Sequence, residues 1–182
     1  MLRIEKRLDP LTALSASERD RLPRLVLPFE RRQKSRQLAQ LENGEEAQLF
    51  LPRGTVLRNG DLLEAQNGVR IRVIAAFENV LNVTADTPSA LIRAAYHLGN
   101  RHMPVQLGNG FLRLENDPVL KEMLVRLGVH VEEKHEPFEP EAGAYGGGHR
   151  HDHDAIFEQD YALAQQVFQE HHGHHDDKNM PH

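Results

Sequence analysis

The sequence predicts an α+β protein whose 182 residues fall into three parts. Residues 1–77 are predicted to form a small N-terminal β-domain, and residues 78–136 a ferredoxin-like βαββαβ domain. Residues 137–182 are predicted to form a linker and a flexible histidine-rich tail. Three observations predict this arrangement: three Asn-Gly pairs between alternating apolar residues, two helices that each begin with a capping residue and a proline, and a concentration of histidines near the C-terminus.

The N-terminal part has the alternation that is typical of β-strands. Leu2–Leu8 alternates apolar and charged residues, and Arg24–Glu30 contains a second short apolar run. Asn-Gly between two such runs is a strong hairpin signal, because both residues tolerate positive φ. The three pairs predicted to turn between strands are Asn43-Gly44, Asn59-Gly60 and Asn67-Gly68. They predict a small antiparallel or mixed sheet.

The pattern changes after Ala76, where strands begin to alternate with helices. Thr87 and Asp117 are each followed by proline, which is typical of a helix N-cap and first helical position. Strands are predicted at Val80–Asp86, Met103–Asn109, Phe111–Asn116 and Val129–His135. Apolar faces are predicted for the first helix at Leu91, Ala94, Ala95 and Leu98, ending at Gly99 or Asn100, and for the second at Val119, Leu120, Met123, Leu124 and Leu127, ending at Gly128. The order βαββαβ is the ferredoxin-like arrangement.

Size and composition restrict the partners. Domains of about 70 residues bury only roughly 60% of their unfolded surface, so a dimer interface would supply missing burial. The net charge of −5 does not favour a nucleic-acid partner, and the basic cluster Arg31, Arg32, Lys34 and Arg36 lacks interleaved aromatics and is interpreted as a solvated edge. Met1–Pro10 lacks the apolar core of a signal peptide, and no run is long enough to span a membrane. We therefore expect a soluble, cytoplasmic protein.

The histidines point to metal binding. Eight of the 12 lie at or after His149, and the chain has no cysteine, so any metal site must use imidazole, carboxylate or backbone ligands. In an extended chain His149, His151 and His153 face one side and can converge on one ion. A solvated polar tail is the alternative interpretation. Within the tail, Ile156–Phe168 has apolar residues at helical spacing and is predicted to form an amphipathic helix.

Spacing alone gives no role to the earlier histidines. His97 and His102 are about 140° apart on a helix, so they do not share a face, and both are interpreted as structural or surface histidines. No zinc-protease, nucleophile-elbow or phosphate-loop motif is present in the sequence. The sequence therefore does not predict an enzyme.

Two motifs identify a resemblance. "YHLGNRHMPVQ" at Tyr96–Gln106 and "PFEPEAGAYGGGHRH" at Pro137–His151, together with the histidine-rich end, resemble the UreE family of urease accessory proteins, which act as nickel metallochaperones. The resemblance implies an N-terminal domain similar to a peptide-binding module of co-chaperones and a ferredoxin-like domain that forms a homodimer. It also implies that His102 lies on the dimer axis and binds nickel jointly with its symmetry mate.

The remaining ligands follow from the same resemblance. His149 and His151 match the tail positions of the family, and His153 is added from its i, i+2 spacing. Some relatives carry a histidine-rich stretch where this chain has Glu115, Asn116, Asp117 and Pro118, so we expect that secondary site to be missing or weak.

The resemblance implies Ni(II) as cargo, and we expect Cu(II) or Zn(II) to bind in vitro. It implies a homodimer, with pairing into a metal-bridged tetramer as a further state, and a urease accessory GTPase and the urease apoprotein as partners. Two alternatives stay open at this point: a histidine-rich intracellular metal buffer, and a peptide-binding co-chaperone.

Overall fold

The computed structural model describes residues 1–9 and 14–142, and it confirms the predicted α+β class. In chain order the elements are β1 (Leu2–Arg7), α1 (Ala16–Asp20), β2 (Arg24–Leu27), α2 (Phe29–Arg32), β3 (Arg36–Gln40), β4 (Glu46–Phe50), β5 (Leu62–Ala65), β6 (Arg70–Ala75), β7 (Phe77–Thr84), α3 (Pro88–Gly99), β8 (Gln106–Gly108), β9 (Phe111–Glu115), α4 (Pro118–Arg126) and β10 (His130–Pro137). The tail, for which flexibility and an amphipathic helix were predicted, lies outside the described residues.

The first sheet contains strands β1 to β6 in the order β2-β6-β5-β1-β4-β3. It is mixed, because β1 pairs in parallel with β4 and β2 pairs in parallel with β6, while the other neighbours are antiparallel. The alternating apolar residues of these strands meet in one core, as their period of two requires. Its fully buried members include Ile4, Leu25, Leu49, Leu63, Ile71 and Val73.

Two of the three Asn-Gly predictions are confirmed. Asn43-Gly44 joins β3 to β4 and Asn67-Gly68 joins β5 to β6, and both glycines have positive φ. The prediction of a hairpin at Asn59-Gly60 is wrong, because Gly60 turns but no strand precedes it.

The physical reason is that the segment before Asn59 satisfies its polar groups without a strand ladder. The Leu57 N–H donates to the carbonyl of Arg32 at 2.9 Å, and the Arg58 N–H donates to the Asp61 carboxylate at 2.8 Å. The Asn59 side chain then accepts a hydrogen bond from the Ala75 N–H at 3.0 Å. The turn is therefore held against β6.

Two short helices in this part were not predicted. In α1, the Ser15 hydroxyl accepts the Glu18 N–H while the Glu18 carboxylate accepts the Ser15 N–H, which is a capping box. The spacing Ser-x-x-Glu is the signal that could have indicated this helix. Helix α2 has four residues and follows Pro28, and no side chain caps it.

The second sheet contains the remaining four strands in the order β10-β7-β9-β8, with every neighbouring pair antiparallel. This is the predicted ferredoxin-like arrangement, in which the first strand lies between the third and the fourth. Both predicted N-caps are confirmed: Thr87 accepts the Ala90 N–H at 3.3 Å and Asp117 accepts the Leu120 N–H at 2.9 Å. One face of the sheet packs on the two helices through Leu81, Val83, Leu112, Leu114, Ala94, Leu98, Leu120 and Leu124.

Two details of this domain were predicted wrongly. The strand predicted to begin at Met103 begins at Gln106, because the Met103 N–H bonds the Leu98 carbonyl, Pro104 has no N–H, and the Val105 carbonyl accepts the Glu141 N–H. Val119 was assigned to the buried face of α4, but its side chain is 72% exposed. It lines a shallow cleft that His97 and Arg101 also line, whereas Leu120 and Leu124 of the same predicted face are buried in the core. No helix within residues 1–9 and 14–142 is long and apolar enough to cross a membrane.

Candidate metal-binding site

His102 lies in the turn that ends α3. Its N–H donates to the Gly99 carbonyl at 2.9 Å, and the Met103 N–H donates to the Leu98 carbonyl at 3.4 Å. These bonds reverse the chain and leave the His102 side chain exposed. The turn presents an imidazole at the protein surface, with the backbone around it fixed by hydrogen bonds.

The backbone of His102 is strained. Its φ is +54°, and among the described residues no other non-glycine residue has a positive φ. Residues with a Cβ adopt this left-handed conformation at a cost of about 1–2 kcal/mol. Such strain often accompanies functional positions. The sequence placed His102 just past the helix end, but nothing in its pattern indicated the left-handed backbone.

His97 lies in a different environment, which agrees with the prediction that the two histidines do not share a face. It is partly buried near the end of α3, with its ring edge-on to Tyr96 at a centroid distance of 5.5 Å. The Arg101 guanidinium donates to the His97 carbonyl at 3.2 Å. His97 therefore packs along the helix and is not part of the candidate site.

An apolar strip on α3 leads toward His102. Ile92 and Tyr96 are 69% and 65% exposed and stand four residues apart, so they share one face of the helix. Asn100, the C-cap of α3, follows at the same spacing, two residues before His102. A single copy of the chain leaves this strip without cover from the described residues.

The predicted tail ligands His149, His151 and His153 lie outside the described residues. Within residues 1–9 and 14–142, no three His, Asp or Glu side chains are grouped so that they could hold a metal ion. A metal ion held by His102 would therefore need further ligands from outside the described residues of this copy.

The structure does describe the chain that leads into the tail. Glu141 donates its N–H to the carbonyl of Val105 at 2.9 Å, three residues beyond His102. The Glu139 N–H donates to the Gln106 side chain at 2.9 Å. His149 follows Glu141 by about eight residues, which span at most about 28 Å when extended.

Arg32 is the residue whose role was interpreted wrongly from the sequence. It was placed in a solvated basic cluster, but its side chain is fully buried. Burial lowers its pKa to about 10, so the guanidinium still carries its charge at neutral pH. The polar neighbours Arg31 and Gln33 gave no signal of this burial, because two partners of Arg32 are distant in sequence: the Phe138 carbonyl and the Glu139 carboxylate.

The residues at 115–118 are used structurally. Asp117 caps α4, as predicted, and the Asn116 N–H donates to the Asn79 carbonyl at 3.1 Å. Glu115 and Asn116 line a shallow polar cleft together with His135, whose ring bonds the Asn79 side chain at 3.1 Å.

The family model of the UreE urease accessory protein N-terminal domain matches residues 4–76, and that of its C-terminal domain matches residues 78–182. Similar proteins include the urease accessory protein UreE of Burkholderia vietnamiensis, 58% identical over 173 residues, which are 95% of this chain and 86% of that protein. The urease accessory protein UreE of Cupriavidus necator is 60% identical over 172 residues, which are 94% of this chain and 90% of that protein. The chain belongs to the UreE family of urease accessory proteins, which confirms the resemblance found in its sequence.

Proposed function

We propose that this protein captures Ni(II) and delivers it to the urease apoprotein during maturation of the enzyme, with His102 as the fixed ligand. Membership of the urease accessory family supports the maturation role. The observation that carries the residue-level proposal is His102 itself, an exposed imidazole held on a strained turn with no structural partner among the described residues. The protein acts in this scheme by binding and transfer, without catalysing a reaction.

The proposed ligand shell combines two copies of the chain. The two His102 side chains, one from each copy, meet at a two-fold axis. The symmetry doubles the number of imidazole ligands without requiring another histidine in the sequence. The exposed Ile92 and Tyr96 beside that turn supply the apolar surface that such an interface would bury. His149, His151 and His153 then add ligands from the tails.

The donor chemistry suits a carrier. Imidazole and carboxylate ligands suit nickel, copper and zinc, and the chain contains no cysteine that would hold these ions as thiolate. A site of nitrogen and oxygen ligands can therefore release its ion to a partner. On the same chemistry we expect Cu(II) and Zn(II) to bind in vitro.

The proposed setting is the cytoplasm. The partners would be a second copy of the chain, with metal able to bridge dimers into a tetramer, then a urease accessory GTPase and the urease apoprotein. The net charge of −5 argues against a nucleic-acid partner. Neither a metal buffer nor a peptide-binding co-chaperone is favoured, since neither explains membership of a urease accessory family.

Substituting His102 tests the proposal directly. His102→Ala should remove a tight site that holds one nickel ion per dimer, while the lower-affinity ions bound by the tail remain. Calorimetric titration gives the affinity, and mass spectrometry under native conditions gives the metal count per dimer.

His97→Ala is the matched control, because His97 is on the same helix but is not part of the proposed shell. It should leave both affinity and metal count unchanged. Unchanged nickel affinity and stoichiometry in His102→Ala would show that the interface site is wrong.

A further inference from the structure

The chain that leaves β10 contacts both the C-terminal and the N-terminal domain. This segment, Phe138–Glu141, is here called the joint. On one side it bonds the second sheet: the Glu139 N–H donates to the Gln106 side chain at 2.9 Å, and the Glu141 N–H donates to the Val105 carbonyl at 2.9 Å. Gln106 begins β8, an edge strand, so the joint is fixed to that edge of the sheet.

On its other side the joint packs on the N-terminal domain. Phe138 is 2% exposed, and its ring meets the Phe29 ring edge-on with centroids 5.6 Å apart. Pro140 is also buried, and its carbonyl accepts a hydrogen bond of 2.6 Å from the Arg58 guanidinium. The joint is therefore held by both domains at once.

Arg32 of the N-terminal domain bonds the middle of the joint. Its side chain is fully buried, and its guanidinium donates to the carbonyls of Leu27 and Leu57 at 3.2 and 3.3 Å. It also donates to the Phe138 carbonyl and forms an ion pair with the Glu139 carboxylate. A buried charge is costly unless its donors are bonded and an opposite charge is near. Two of these four acceptors, including the carboxylate, belong to the joint.

The other carboxylates near Arg32 do not take the place of Glu139. Burial lowers the pKa of the Arg32 guanidinium, and the carboxylates of Glu78 and Asp61 act against this shift. Asp61 belongs to the N-terminal domain, but its carboxylate pairs with Arg7 at 3.0 Å. Glu78 lies in β7, so the C-terminal domain supplies it, as it supplies Glu139. The negative charge in contact with Arg32 thus comes from the C-terminal domain.

We propose that Arg32 is an interdomain lock, a buried cation of the N-terminal domain whose countercharge, Glu139, is supplied by the C-terminal domain. Separating the domains would leave the guanidinium without its ion pair and without one of its carbonyl partners. The N-terminal domain therefore does not open by itself, and the two domains open together as one cooperative unit. No metal ion is needed for this coupling.

Hydrogen exchange in low concentrations of urea tests the coupling on the full-length chain, because it reports how each strand opens. The informative amides are those of β1 and β7, which are interior strands of the first and the second sheet. We expect their slowest amides to exchange through one shared opening with the same dependence on urea, since that dependence measures the surface that the opening exposes.

Two substitutions remove the lock in different ways. Glu139→Gln removes the countercharge but keeps an acceptor of similar size, and Arg32→Met removes the buried charge itself. Either change should separate the β1 and β7 amides into two openings, each with a smaller urea dependence. In Glu139→Gln the β1 amides should also exchange about 10- to 100-fold faster, because a charged hydrogen bond is lost while the guanidinium stays buried. In the Arg32→Met background, Glu139→Gln should alter exchange by less than about threefold, because no charge is left to compensate.

Glu141→Gln is the matched control. It removes a carboxylate from the same segment, but Glu141 is held through its backbone N–H and its side chain is exposed. This variant should keep the shared opening and the exchange rates of the parent. If Arg32→Met does not fold, the comparison of Glu139→Gln with Glu141→Gln still decides the outcome.

Four results would refute the lock. The β1 and β7 amides of the parent could open separately, or they could still share one opening in Glu139→Gln. Glu139→Gln and Glu141→Gln could have equal effects, or Glu139→Gln could have the same effect with and without Arg32.

Discussion

At the scale of single residues, His102 combines an exposed side chain with a strained backbone that lowers the stability of the fold. Its φ of +54° belongs to the region where glycine is favoured, and Gly99 stands only three residues earlier with an ordinary helical backbone. A chain selected only for stability would place glycine at position 102. The imidazole is kept there in spite of the conformational cost, which agrees with a role in binding.

His102→Gly separates the two effects. The free energy of unfolding of His102→Gly should be about 1 kcal/mol higher than that of His102→Ala, because only glycine adopts the left-handed backbone without strain. Thermal and urea unfolding without nickel would measure the difference. Both variants should lose the tight nickel site, and equal stability of the two would show that the turn is not strained.

Sequence patterns predict single residues well when the cause is local. Thr87 and Asp117 were predicted as caps because a cap bonds an N–H three residues away. The burial of Arg32 could not be predicted, because three of the four groups that accept its hydrogen bonds are 25, 106 and 107 residues distant in the chain. The same reason applies to Phe138 and Pro140, which are buried through a ring contact with Phe29 and a hydrogen bond from Arg58.

At the scale of elements, the short hairpin of β8 and β9 depends on close contact between a glycine and an aromatic ring. Gly108 lies opposite Phe111 in the register, and a Cβ added at Gly108 would overlap the Phe111 ring. The Arg113 guanidinium lies 5.2 Å from the centroid of the same ring. The ring therefore occupies the space that a side chain at position 108 would need.

Gly108→Ala should accordingly destabilise the protein by about 1–3 kcal/mol, the usual cost of overpacking. Gly99→Ala is the control, since nothing lies within 4 Å of the added Cβ and the residue is helical. That variant should be at least as stable as the parent, because alanine favours helix more than glycine does. Urea unfolding of both variants gives the comparison, and equal stabilities would argue against the packing explanation.

The strands were predicted correctly where the turn signal in the sequence lies between two strands that pair with each other. Asn43-Gly44 and Asn67-Gly68 lie between strands that pair directly, so the local signal matches the tertiary structure. At Asn59-Gly60 the turn forms, but Leu57 is drawn into the core and bonds the carbonyl of Arg32. Tertiary contacts thus replace the strand that the alternation predicted.

At the scale of the whole molecule, the exposed apolar residues indicate where a second copy would bind. Ile92 and Tyr96 lie on the exposed face of α3, the helix that ends at the turn carrying His102, so an interface along that face would bring two imidazoles closer together. The sequence indicated this only through the family resemblance, because a helical stripe does not show which of its apolar residues remain exposed. The homodimer therefore remains a prediction.

Ile92→Lys tests the dimer. A charge at the centre of an apolar interface is costly to bury, so the variant should sediment as a monomer and lose the shared nickel site. Leu38→Lys is the control, because Leu38 is 65% exposed on β3, an edge strand of the other sheet. It should remain dimeric. A dimeric Ile92→Lys that keeps the nickel site would place the interface elsewhere.

The buried arginine also sets an order of events during synthesis. The first sheet can form as soon as β6 has left the ribosome, but Phe138 and Glu139 are made about 60 residues later. Until then the donors of Arg32 that end on Phe138 and Glu139 must bond water. Docking of Phe138 and Glu139 on Arg32 is therefore a late folding step that joins the chain after β10 to the part that carries the first sheet.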